Sequence, residues 1–329
     1  MESSSLSRRS FAAGCAALGS TLAAPGLDAL AQGRDVTRFF VGAAAGGPVE
    51  AYARVIGEHM QKTLGTTIVT EVRPGANGSV AAQVTADAPA DGKTVWIGTQ
   101  SMIEINPLVY EGLRWKASDF TVLMKGLEGP IGLVVNPKAP VQTLAETIDW
   151  IKKNPGKLSI SSYSPGTPGH FLGVQLNERF GLDLPHVPYR GSAPQVTDLM
   201  AGQVMLGFTQ MPSVLSQIQA GSIRAIATTG ARRFAALPDI PTFTELGYPD
   251  FLATVWYGII VRSNTPADIK ARIVEAAKLA HADSQVRAAL AAQGLDMVAE
   301  TGPAMEESIR QGSERWGRVV KATGFRATD

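Results

Sequence analysis

Two loops hold most of the residues that could do chemistry, and their makeup points to capture of an anion. One reads Gly42-Ala43-Ala44-Ala45-Gly46-Gly47-Pro48. The other runs from Ser161 to His170 and contains Gly166-Thr167-Pro168-Gly169-His170. Each falls between a predicted strand and a predicted helix. Neither contains a lysine, arginine or cysteine. They offer bare backbone N–H groups, small side chains and hydroxyls at a helix start. There the first amides lack helical partners and the macrodipole favours negative charge. That arrangement suits a carboxylate and does not suit covalent chemistry.

In the first loop the candidate contacts are Ala43, Ala44, Ala45, Gly46 and Gly47. In the second they are Tyr163, Ser164, Thr167, Gly169 and His170, with Ser162 a further hydroxyl. Pro168 has no N–H to give. Ser101 and Gln210 complete the set. Plainer readings stand beside these. Glycines also serve tight turns. Glu50, in the first turn of the helix after loop one, reads as a cap or lobe contact rather than a catalytic acid. The His170 ring equally fits packing against its lobe, and Gln210 equally fits a core or cap. A third connection runs His186-Val187-Pro188-Tyr189-Arg190-Gly191-Ser192-Ala193-Pro194. Its Arg190 fits a ligand contact, a surface ion pair or a contact between lobes.

Other chemistries lack their signatures. His59, His170, His186 and His281 show no metal spacing such as H-E-x-x-H. No G-x-S-x-G elbow occurs. Loop one has neither G-x-G-x-x-G spacing nor the Gly-Lys-Ser/Thr ending of a phosphate loop. No cofactor or metal is expected. Scattered serines, histidines and aspartates leave a secreted esterase as the enzymatic alternative, and a partner-binding protein as another. The chain has 30 Lys and Arg against 29 Asp and Glu. So even a balance gives no footing for nucleic acid or an anionic membrane.

The N-terminus reads as an export leader over residues 1–31. Arg8 and Arg9 precede an Ala/Leu-rich run from Ala12 to Ala24, and Ala29-Leu30-Ala31 gives an A-x-A cleavage site. The paired arginines fit a twin-arginine signal, and the leader implies a periplasmic protein. Pro25 and Gly26 interrupt the run, which argues against a membrane span. Cys15, the only cysteine, lacks the flanks of a lipoprotein site. Cleavage after Ala31 would leave no thiol, so stability must come from core packing. It would also leave roughly 300 residues, enough for two lobes with their own cores.

Short β-branched runs alternate with helical patterns. The first series predicts strands over Thr37–Val41, Thr67–Val72 and Thr94–Gly98, with helices over Val49–Leu64 and Ser79–Ala88. A strand over Gly132–Val135 and a helix over Leu144–Asn154 follow. The second series predicts strands at Leu158–Ser162, His186–Tyr189, Val204–Phe208 and Ile223–Thr228, with helices at Phe171–Phe180, Ala193–Ala201 and Ser213–Ala220. Later come a strand or crossover at Thr254–Ile260 and helices at Ala267–Leu279 and Met305–Lys321. The pattern predicts an α/β chain with parallel sheets and helices on their faces. Two such series predict two lobes, with residues 32–131 and 255–329 in one and 132–254 in the other.

The order of several short motifs resembles the Bug (TctC-like) family, the periplasmic receptors of tripartite tricarboxylate transporters. The landmarks are Arg73-Pro74-Gly75-Ala76-Asn77-Gly78, Asp91-Gly92, Ile105-Asn106-Pro107, Val135-Asn136-Pro137 and Pro155-Gly156-Lys157-Leu158. They continue with Gly166-Thr167-Pro168, the His186–Pro194 stretch, Leu237-Pro238-Asp239-Ile240-Pro241-Thr242 and Trp256-Tyr257-Gly258. The resemblance implies a two-lobed periplasmic-binding-protein (Venus-flytrap) fold with a central sheet in each lobe, and no catalysis. It implies a monomer that closes on a small organic carboxylate and hands it to the membrane subunits of the transporter. Gly42–Pro48 would supply one wall of the cleft and Tyr163–His170 much of the other.

This chain departs from the family pattern in two places. Loop one usually reads close to Pro-Phe-Ala-Pro-Gly-Gly, so Ala43 stands where a bulky aromatic is usual. Met205 stands where an aspartate is common after Gly-Gln-Val, and is expected to enlarge an apolar surface. A small residue at position 43 leaves room for a wide ligand. The expected ligand is therefore a dicarboxylate with an apolar middle, terephthalate being the aromatic example. Aliphatic di- and tricarboxylates such as adipate, succinate and citrate are the alternative.

Overall fold

The computed structural model describes residues 35–327. The leader, with Arg8, Arg9, Cys15 and the Ala31 cleavage site, lies outside the described residues. The chain opens with β1 (Val36–Val41), α1 (Pro48–Leu64) and β2 (Thr67–Val72). α2 (Ser79–Asp87) and β3 (Thr94–Thr99) follow, then a π-helix over Ser101–Ile105 that runs into α3 (Asn106–Val109). β4 (Phe120–Val135) is 16 residues long. Next are α4 (Leu144–Lys152), β5 (Ile160–Ser162), α5 (Pro168–Phe180), β6 (His186–Pro188) and α6 (Ser192–Ala201). The chain then forms β7 (Leu206–Gln210), α7 (Met211–Gln219), β8 (Arg224–Thr228) and β9 (Thr254–Arg262). It ends with α8 (Ala267–Ala282), α9 (Ser284–Ala291), β10 (Asp296–Glu300) and α10 (Pro303–Thr323).

Local chemistry sets many of these boundaries. α1 starts with Pro48 in its first turn, where the missing N–H costs nothing, and stops at Gly65 in the left-handed region. α4 begins on a capping box: Glu146 N–H donates to Thr143 Oγ1 and Thr143 N–H to Glu146 Oε2, both at 3.2 Å. α9 begins where Asp283 accepts the amides of Gln285 and Val286.

The strands join in the order β2-β1-β3-β9-β4-β7-β5-β6, with β10 and β8 also pairing with β4. The pairs β1–β2, β1–β3, β5–β6 and β5–β7 are parallel, as the alternating pattern predicts. The sheet is nevertheless mixed rather than parallel. β9 runs antiparallel to β3 and β4, and β7, β8 and β10 run antiparallel to β4. β4 is the reason. Phe120 to Pro130 pairs with β9, and Ile131 to Val135 pairs with β7. One strand thus passes from one group of parallel strands to the other.

Sequence reading caught only the last four residues of β4. Gly126, Gly129 and Pro130 break its hydrophobic run, and such residues usually mark the end of a strand. Gly126 has a local packing cause, and the residue after Pro130 has a fixed partner. A Cβ on Gly126 would lie 1.7 Å from the Tyr52 hydroxyl oxygen. The Ile131 N–H donates to Thr229 Oγ1 at 3.0 Å, and Thr229 Oγ1 also bonds Ala253 O at 2.5 Å. These bonds tie β4 to the segment that leads back into β9. A continuous buried cluster spans both strand groups, including Phe39, Tyr52, Ile97, Leu127, Leu133, Phe208 and Tyr257.

Candidate functional site

A cavity of about 720 Å³ lies at the ends of strands from both groups. This is within the range of small-molecule sites. One wall comes from the connection between β1 and α1: Gly42, Ala43, Ala44, Ala45, Gly47, Pro48 and Val49. The turn Pro74–Asn77 and the segment Thr99, Ser101 and Met102 continue it. Facing them are Tyr163, Ser164 and Pro165, then Tyr189 to Ala193, and Gln210. The two walls meet where Gly191 faces Ala44. A Cβ on Gly191 would lie 3.0 Å from the Ala44 Cβ.

The first wall is built on close backbone contact. A Cβ on Gly42 would come within 2.6 Å of Gly78 Cα, and one on Gly78 within 2.3 Å of the Met102 methyl. Glycine at both positions therefore lets the β1–α1 loop lie against the Pro74–Gly78 turn. Gly46 N–H donates to Glu50 Oε2 at 2.8 Å, and Arg54 pairs with the other oxygen of the same carboxylate. The Gly46 amide and the Arg54 guanidinium hold the Glu50 carboxyl below its ordinary range. Glu50 is therefore the loop's internal cap. Gly46 itself faces a separate cavity of about 350 Å³, lined also by Ala51, Pro212 and Gln293.

Polar groups on the facing wall are held from behind. Tyr257 donates its hydroxyl to Gln210 Oε1 at 2.9 Å. The Gln210 amide nitrogen is thereby turned away from Tyr257 as a donor. The Tyr163 hydroxyl is buried and makes no well-formed hydrogen bond. Burial pushes it up to about 12, against the pull of its polar neighbours Thr167, Gly169 and Gln210. It stays protonated and can donate.

Thr167, Gly169 and His170 do not line the cavity; they shape the wall from the rear. Thr167 Oγ1 donates to Ser164 O at 2.7 Å. Gly169 leaves room for the Tyr163 ring, which would lie 2.6 Å from a Cβ there. The sequence pattern starts α5 at Phe171, but the helix begins at Pro168, so Gly169 and His170 are helical. His170 stacks on His186 at 4.1 Å and meets Phe325 edge-on at 4.5 Å. Its Nδ1 accepts the Gly166 N–H at 3.3 Å. Burial, with a smaller push from His186, lowers His170 to about 3. A ring so placed is neutral and structural. Met205 is also away from the cavity. It immediately precedes β7, at the far end of that strand from Gln210, and packs on the main core.

Several lining residues escaped the sequence reading as contacts: Asn77, Val80, Thr99, Met102 and Tyr110. Asn77 is held at φ 46° and donates to Asn106 Oδ1 at 2.8 Å. Its signal was present in the Gly75–Gly78 turn, a run that reads as punctuation alone. Ser101 opens the π-helix, a form often found at functional sites. Two residues beyond Met102, Glu104 accepts Trp256 Nε1–H at 2.8 Å, and burial pushes its carboxyl up to about 7.

The family model for the tripartite tricarboxylate transporter family receptor matches residues 52–325. The chain belongs to this family. BugT of Bordetella pertussis is 32% identical over 282 residues, covering 85% of this chain and 86% of that protein. A Rhodopseudomonas palustris protein solved with adipate superposes with a TM-score of 0.84 at 28% identity, over 89% of this chain and 98% of the other. MatC from the same species, solved with malate, gives 0.80 at 27% identity, over 87% and 99%. The receptor thus has the two-lobed α/β fold of periplasmic binding proteins. Among its described residues no helix is long and apolar enough to cross a membrane.

The receptor also contains a serine–histidine pair. Ser162 Oγ lies 2.8 Å from His186 Nε2. Ser162 is fully buried, neither residue lines the cavity, and burial lowers His186 to about 4. The pair supports the rear of the wall, where His186 stacks on His170.

Proposed function

We propose that this receptor works in the periplasm, where it captures an organic dicarboxylate with an apolar middle and delivers it to the membrane subunits of a tripartite tricarboxylate transporter. Its ligand class includes terephthalate. The observation that carries this reading is the alanine-walled side of the cavity. Ala43 and Ala44 line it beside Val80 and Met102, opposite the hydroxyl of Tyr163 and the amide of Gln210. Small side chains there leave width for a ring, and helix-start amides supply donors for a carboxylate. We assign residues 32–131 and 255–329 to one lobe and 132–254 to the other, acting as a monomer. The switch of partners within β4 at Pro130 and Ile131 supports that division. Burial of the Ser162–His186 pair favours a receptor over an esterase.

Aliphatic dicarboxylates are the second reading, favoured by the relatives solved with adipate and malate. Calorimetric titration of the mature protein separates the two. The panel is terephthalate, phthalate, benzoate, adipate, succinate, citrate, glutamate and nicotinate. The expected result is one-to-one binding of terephthalate, tighter than benzoate. Tighter binding of adipate or succinate would keep the receptor and reject the aromatic ligand. Absence of binding across the panel would reject carboxylate capture itself.

A further inference from the structure

Among the described residues, Arg190 is the only charged one lining the main cavity. Its guanidinium is exposed and makes no ion pair or hydrogen bond with any described residue. Its backbone, in contrast, is fixed on both sides. Tyr189 N–H donates to Ser162 O at 3.0 Å, and Gly191 N–H to Tyr163 O at 2.7 Å. Tyr189 is fixed again by its hydroxyl, which donates to Asp198 Oδ2 at 2.7 Å. Gly191 holds φ 119° and packs on Ala44 of the opposite wall. A rigid backbone thus presents an uncommitted cation at the outer part of the cavity. The inner part holds neutral donors: the buried Tyr163 hydroxyl and the Gln210 amide.

We infer that Arg190 is the specificity residue that makes this receptor select a second carboxylate. The inference rests on the carboxylate-receptor reading above. One carboxylate would sit among the neutral donors and loop amides. The other would meet Arg190, whose planar fork matches a carboxylate with two parallel hydrogen bonds. Ala43, Ala44, Val80 and Met102 would cover the carbon chain or ring between. A guanidinium that already had a partner could not discriminate this way, because the incoming carboxylate would have to displace that partner. Arg190 has no such partner among the described residues, so an incoming carboxylate displaces only water from it.

Matched ligands test this. Adipate and hexanoate have the same chain length and differ in one terminal carboxylate; terephthalate and benzoate form the aromatic pair. Each is titrated by calorimetry into the receptor, Arg190→Gln and Arg190→Lys, with thermal melts to confirm folding. The receptor is expected to prefer the dicarboxylate of its better pair by roughly 10- to 100-fold. Arg190→Gln should collapse that ratio toward one while monocarboxylate affinity changes less than about threefold. Arg190→Lys should give an intermediate ratio, since it keeps the charge but not the fork. A ratio unchanged in Arg190→Gln would overturn the inference and leave the receptor reading intact. Equal loss on both members of a pair would also overturn it, as a structural effect. If the unmodified receptor binds none of the four, this inference is overturned, and the wider carboxylate panel above decides the carboxylate reading separately.

Discussion

The two loops that read alike in sequence use the same backbone device to different ends. In each, a glycine with positive φ stands two residues before the helix-opening proline: Gly46 at 79° before Pro48, and Gly166 at 65° before Pro168. In each, that glycine's N–H is capped by the side chain four residues on. Glu50 Oε2 accepts it at 2.8 Å in loop one, and His170 Nδ1 accepts it at 3.3 Å in loop two. The difference lies in the caps. Glu50 is charged and paired with the largely exposed Arg54, and the start of α1 lines the cavity. His170 is neutral and stacked among His186, Phe171 and Phe325, so the start of α5 is packed inside its lobe. The cavity then receives only the preceding residues Tyr163 to Pro165. A shared loop pattern predicts a cap; the chemistry of the cap decides whether the helix start faces ligand or core.

Exchanging the caps is the hardest test of this contrast. His170→Glu would put a carboxylate into the aromatic stack with no cation beside it. It must remain charged in an apolar site or take up a proton at neutral pH, so a destabilisation of about 3–5 kcal/mol is expected. Urea unfolding followed by circular dichroism reads it. A cost below about 1 kcal/mol, the level of a surface change, would mean that loop two is as open as loop one.

Acid should separate the loops next. His170 is lowered to about 3 and His186 to about 4 from an ordinary value of 6.5. Their contribution is full above pH 6.5 and is lost as pH falls toward 4 and then 3, because the unfolded chain takes up protons that the folded chain refuses. At pH 5 this amounts to at most about 2 kcal/mol for His170, and less for the partly exposed His186. Glu104 works in the opposite sense. Its raised carboxyl, near 7, contributes stability below 4.5 that is lost as pH rises through 7. His170→Gln keeps an acceptor for Gly166 but cannot titrate. Urea midpoints at pH 7 and pH 5 should therefore fall less in this variant than in the parent. An equal fall in both would place the acid sensitivity elsewhere.

The same contrast explains what the sequence revealed. Strand and helix cores were legible because their apolar periods are clean, as in β1, α1 and β2. Ala43 to Ala45, Gly47, Ser101, Tyr163, Ser164 and Gln210 stand at strand-to-helix junctions, where a cavity in this architecture forms, and they do line it. Thr167, Gly169 and His170 share the second junction but belong to its packed side, because stacking of His170 on His186 joins helix α5 to strand β6. No local pattern carries that contact. Met102 and Asn77 were hidden for a related reason. Their place in the wall depends on a π-helix and on the Gly42–Gly78 backbone approach, both set by tertiary packing. β4 was lost because Gly126 serves close packing and Pro130 stands at a change of partner strand, while both look like breaks.

The smallest effect is expected from the reverse exchange, Glu50→His. An imidazole at position 50 can still accept the Gly46 N–H, and Arg54 is largely exposed, so losing the ion pair leaves no buried charge. The first-turn position also loses its favourable carboxylate. Together these should cost about 0.5–1 kcal/mol. Glu50→Ala removes the acceptor as well and should cost about 1 kcal/mol more. Urea unfolding of both variants at pH 7 checks the order. If Glu50→His costs as much as His170→Glu, the carboxylate at position 50 is not a replaceable cap, and the two loops differ in position alone rather than in what their caps allow.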